Sequence, residues 1–205
     1  MKIYNRSSLL LLVISFITNS CISSLYPITE NEKDFVFKKE LLGHWKEDNN
    51  KEEYIIDTTG KSVYRIMVIN KKDSGVVSNN SRRNDTSFYL AFLVDINGQY
   101  FLDCWPDIER PAFSEISEET ISGILLKHFI FHIQNIQQNS MLVSGINKDS
   151  LVNPTNKGKL SVKHEILTND DVLLTEKPIV LQQKLSAAVS TKSFFGESSL
   201  LKRKN

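Results

Sequence analysis

The sequence predicts a mainly β fold, an antiparallel barrel or strongly curled sheet finished by a C-terminal helix. Three observations carry this. Short runs of alternating or continuous apolar residues recur from about residue 53 to residue 175, separated by compact polar turns such as DTTGK, QQNS and TNDD. Two of the runs flank Asn97-Gly98, the strongest short hairpin signal, because both central turn residues need positive φ. Helical spacing follows Thr175, in EKPIVLQQKLSAAVS, where Val180, Leu181, Leu185 and Ala188 can share a face.

In chain order, residues 22–34 (ISSLYPITENEKD) read as a polar tether, and DFVFKKELLGHW enters the domain. Strands are predicted over 53–57 (EYIID), 63–69 (VYRIMVI), 87–96 (SFYLAFLVDI) and 99–105 (QYFLDCW). In the second of these, Val63, Arg65, Met67 and Ile69 lie on one face and Tyr64, Ile66 and Val68 on the other. The stretch 73–86 (DSGVVSNNSRRNDT) reads as a long hairpin loop, and 106–120 (PDIERPAFSEISEET) as a second polar excursion. Strands resume over 124–136 (ILLKHFIFHIQNI), 141–146, 159–167 (KLSVKHEIL) and 172–175 (VLLT). The basic, Ser-rich end SSLLKRKN reads as a frayed tail within 191–205. One domain over 35–190 is therefore expected, after a leader over 1–20 and a tether over 21–34.

The leader has its own logic. Lys2 and Arg6 precede an apolar run from Leu9 to Ile17, then the small or polar Thr18, Asn19 and Ser20 lead to Cys21. Positive, apolar, small is the order of a secretory signal, and the run falls short of the roughly 20 apolar residues needed to span a bilayer. The segment resembles bacterial lipoprotein signals, in which cleavage occurs just before a lipid-bearing cysteine. That resemblance implies that Cys21 is acylated, that the chain is anchored in a bacterial cell envelope, and that it faces the periplasm from the outer membrane. Two or more acyl chains are enough for stable attachment without a spanning segment. Without residues 1–20 the chain has 185 residues, 23 basic and 24 acidic, which gives no electrostatic case for nucleic acid.

A second resemblance rests on ELLGHWKE, which holds the Gly-x-Trp of lipocalin-like barrels. The order DFVFKKELLGHW, VYRIMV, YFLDCWP, the strand around His128 and VLLTEKPIVLQQKL is similar to a family of uncharacterised bacterial lipoproteins with lipocalin-like domains, over about residues 34 to 186. It implies that Trp45 packs at the barrel floor, that Gly43 avoids crowding the closing strand, and that His128 is a residue to watch for ligand or floor contact.

Chemistry is sparse. His128 and His132, four apart on a strand, share a face but lie about 13 Å apart, too far for one metal ion. The sequence shows no Gly-x-Ser-x-Gly, P-loop, HExxH or CxxC pattern. Asp103 beside Cys104 lacks a local base to activate the thiol, so Cys104 reads as a small buried hydrophobe. SRR at 81–83 and KRK at 202–204 read as solvated charge. Neither a catalytic residue, a metal nor a cofactor is implied. Two function classes stay open: a barrel that binds a small apolar ligand, and a solid barrel that docks an envelope partner through its loops. Abundant Phe and Leu in the strands argue for a filled interior.

Overall fold

Apolar alternation and turn chemistry shape most of the observed strands. The computed structural model describes residues 21–48, 52–71, 85–108, 127–152, 161–168, 171–191 and 193–204. The expected signal peptide, SRR, and nearly all of the two polar excursions lie outside these residues.

Two short strands come first, β1 (Cys21–Ser24) and β2 (Phe35–Val36). A meander follows: β3 (Gly43–Glu47), β4 (Glu52–Thr58), β5 (Val63–Asn70), β6 (Asp85–Ile96), β7 (Gln99–Pro106), β8 (Phe129–Gln134) and β9 (Ser140–Gly145), each antiparallel to the next. After helix α1 (Lys148–Val152), β10 (His164–Ile166), β11 (Asp171–Leu174) and helix α2 (Pro178–Ala188) comes β12 (Ser199–Arg203). β12 lies antiparallel to both β9 and β3 and closes the meander into an eight-stranded, lipocalin-like antiparallel barrel. β2 extends the wall at the far end of β6. The β6–β7 turn has Asn97 at φ 56° and Gly98 at φ 79°, the positive angles that Asn-Gly foretells.

Opposed residues share a face. The pairs Trp45–Tyr54, Ile66–Tyr89, Ala91–Cys104, Leu102–Phe131 and Met141–Leu201 all point into the barrel. Alternate residues on β6, β7 and β8, namely Val94, Ile96, Phe101 and Ile130, point outward into a second core. That core is completed by Ile22, Ile28, Val172 and Leu174, and by Leu181, Leu185 and Ala188 of α2. Val180, placed on the same helical face by spacing, is only half-buried. The accessory layer is a three-stranded sheet in the order β1–β11–β10, with β1 parallel to β11.

Both ends of the expected domain need correction. The tether expected over 21–34 is ordered: Ile22, Ser23, Ser24, Ile28 and Thr29 are buried, because β1 pairs with β11 and its apolar residues fill the second core. The tail expected to fray contains the closing strand of the barrel. Lys202 and Lys204 are exposed, as expected of solvated charge, and pair with Asp48 and Glu53, whereas Arg203 is bound to three carbonyls.

Candidate functional site

Aromatic and aliphatic side chains crowd the barrel interior. Trp45, Tyr64 and Leu93 are fully buried, and Tyr54, Ile56, Ile66, Val68, Phe131, Ile133, Met141 and Leu201 pack around them. One end is shut by the segment before β3, which makes a single 3-10 turn (Lys39–Leu41) and drives Leu41 into the core. Trp45 sits beneath it, and its indole N–H donates to the Leu41 carbonyl at 2.8 Å. The Arg203 guanidinium lies 4.4 Å from the indole centroid and donates to the carbonyls of Gln138, Leu42 and Glu40. The Tyr64 hydroxyl accepts from the Lys38 N–H at 2.6 Å, pinning the same segment.

The polar groups inside are few and strongly affected by burial. Desolvation pushes the Tyr89 phenol up to about 12, and it raises Tyr54 as well, helped by the Glu52 carboxylate that its hydroxyl meets at 2.8 Å. Cys104 is a buried free thiol, raised well above its ordinary value by desolvation and then by the Asp103 charge. A thiol held in its neutral form is a poor nucleophile, so its place among the core side chains agrees with the structural reading of this residue.

His128 is not at the barrel floor. It precedes β8 with the outward parity of Ile130 and His132, so it meets the accessory layer on the outer wall. Register forces this, since residues 129, 131 and 133 take the inward positions. Its Nδ1 lies 2.7 Å from Asp103 Oδ1, its ring 5.8 Å from that of Trp105, and its backbone bridges to Ser24 of β1 at 2.7 and 2.9 Å. The other Asp103 oxygen accepts the buried Ile28 N–H at 2.7 Å. Asp103 is itself buried, so the pair brings a carboxylate and an imidazole together away from bulk water. Both carboxylate oxygens already hold structural partners, which makes the pair a fastener between wall and accessory layer.

His132, on the same face of β8, has separate company. Its ring stacks on Phe101 at 5.1 Å and lies 4.7 Å from Phe195, while its nitrogens meet Gln99 and Gln134 at 3.2 Å each. Burial lowers its pKa, favouring neutral imidazole. It lines a cleft of about 840 Å³ between the barrel end and the segment after α2. Lys38, Tyr100 and Phe195 share that cleft, with the Lys38 ammonium 4.8 Å above the Tyr100 ring. Sequence reasoning missed this cleft, because its walls come from four separate parts of the chain.

On the outer face of β4, across the barrel from β8, Glu53 gathers two lysines and a histidine. Lys71, Lys204 at 3.1 Å and His44 at 2.9 Å surround its carboxylate, whose side chain is 5% exposed. The Lys71 hydrogen bond, aided by Lys204 and His44, holds Glu53 down at about 2. Among the described residues no group of three or more His, Cys, Asp or Glu side chains is placed to hold a metal ion, and no helix is long and apolar enough to cross a membrane. Comparisons with family models, with curated proteins and with solved structures give no match.

Proposed function

We propose that this chain is a lipid-anchored envelope protein whose barrel is a solid, non-catalytic interaction module, with acylated Cys21 as the anchor. The observation that carries the interaction reading is the packing of the interior: among the described residues Trp45, Tyr64 and Leu93 are fully buried at its centre, with aromatic and aliphatic side chains around them. The anchor rests on the ordered signal before Cys21. A partner docks on the loops of such a barrel, where backbone groups and side chains are accessible.

The second reading, a binder of a small ligand, takes the cleft beside His132 as its site; there Phe195 and Tyr100 stand among Lys38, Glu40, Gln99 and Gln134, a lining more polar than a purely apolar ligand needs. The same two carboxylate contacts that fasten Asp103 leave the non-catalytic reading in place. Native mass spectrometry of protein extracted gently from membranes separates the two. The solid-module reading expects the mass of the acylated chain alone; a stoichiometric small molecule would replace it with the ligand-binding reading. For the anchor, Cys21→Ser is expected to move the protein from the membrane to the soluble fraction. Full retention on membranes would remove the acyl anchor from the reading.

A further inference from the structure

The strand that begins at Cys21 leaves almost no slack between the expected anchor and the folded body. Ser24 is fully buried and locked to His128, so three residues of extended chain, about 10 Å, separate it from the cysteine. Cys21 lies opposite Asp171, and the Leu167 N–H donates to the Asp171 carbonyl at 2.9 Å. Cys21, Asp171 and Leu167 thus form one row across β1, β11 and the end of β10, about 10 Å wide at the usual strand spacing. At that end of the sheet, Leu167, in the row of Cys21, is 47% exposed, and Ile166, in the next row with Ile22 and Val172 and on the opposite face, is 55% exposed at the strand edge.

We infer that this end of the accessory sheet is a membrane-apposed face, with Ile166 and Leu167 entering the bilayer interface beside the acyl chains. The inference rests on the lipid anchor proposed above and adds an orientation to it. Acyl chains leaving Cys21 fix the bilayer within the width of three strands from these residues, and no flexible linker intervenes. Apolar side chains at that depth exchange water for the acyl boundary. Among the described residues the surrounding charge is nearly balanced: Lys127 pairs with Asp171 at 3.1 Å, and exposed Glu165 lies two positions from exposed Lys163. The face therefore fits a zwitterionic surface, and anionic lipid adds nothing to its docking.

The test uses the full acylated chain, reconstituted into phosphatidylcholine vesicles with brominated acyl chains. A polarity-sensitive dye is attached at Leu167→Cys or, as the comparison, at Leu200→Cys on β12, with buried Cys104 protected by the fold. Flotation reports the anchor, and quenching by bromine reports the apposition. The expected result is flotation of both, loss of most dye emission at position 167, unchanged emission at 200, and the same pattern when anionic lipid is added. Flotation without quenching at 167 would overturn the orientation while leaving the anchor intact. Equal quenching at both positions, or quenching only with anionic lipid, would also overturn it. Failure to float would remove the anchor and the orientation together.

Discussion

At the scale of single residues, Arg203 and Trp45 hold the closed end of the barrel as a unit. The guanidinium covers the indole and spends its donors on three carbonyls of two loops, so neither group is left wet or unpaired. Gly43 makes room for it: a Cβ there would stand 2.1 Å from Arg203 Nη1, and the backbone sits at φ 132°, where other residues are strained. Trp45→Ala is expected to cost ~3–5 kcal/mol by chemical denaturation. Arg203→Ala should cost less, and the double variant less than the sum, because both changes remove one shared contact. Strict additivity would mean that the stacking carries no energy. Glu53 makes a separate claim about acid. Its folded pKa of about 2 lies below the ordinary 4.5, so its stabilisation is full above pH 4.5 and is lost as pH falls toward 2. Glu53→Gln should lower the melting temperature at neutral pH and flatten its decline across that window. An equally steep decline in the variant would assign acid sensitivity to other carboxylates.

At the scale of elements, β12 decides whether the meander is a barrel. Five residues supply the pairing on both β9 and β3, and without them two long edges stand open. Truncation after Ser198 is expected to abolish cooperative unfolding and to promote aggregation, read by near-ultraviolet dichroism and light scattering. An unchanged melting curve would show that the barrel closes without its last strand. The contrast with the hairpins explains what is legible in the sequence. β4 to β7 can be read from alternation and from Asn97-Gly98, because each strand meets its chain neighbour across a short turn or on a long apolar run. β1, β2 and β12 have four, two and five residues, too few for a period to show. Their partners lie far along the chain, and the cations of SSLLKRKN look like a solvated tail until Asp48, Glu53 and the carbonyls come into place. Gly-x-Trp draws attention to Trp45 in the sequence, whereas its partner Arg203 carries no local mark. His128 falls within a strand expected from the sequence, yet it precedes β8 and bridges only to Ser24, and its face depends on a β7–β8 register set across a long connection.

At the scale of the whole molecule, two cores share one wall. Strands β6, β7 and β8 send alternate side chains into the barrel and into the accessory layer, so each core is packed against the back of the other. The accessory layer is expected to open before the barrel, since it is held by apolar packing, one backbone bridge and a few polar fasteners. Asp103 is the chief fastener: one oxygen takes the Ile28 N–H and the other meets His128, whose backbone bridges to Ser24. Asp103→Ala leaves the Ile28 N–H buried without an acceptor, a loss of about 1–3 kcal/mol. Because Asp103 points away from the barrel core, that loss falls on the layer it fastens. Hydrogen exchange should then accelerate in β1 and β11 while amides of β3, β4 and β5 keep their wild-type protection. Uniform acceleration through all of these strands would mean that barrel and layer open as a single cooperative unit, and that the shared wall transmits the defect instead of confining it.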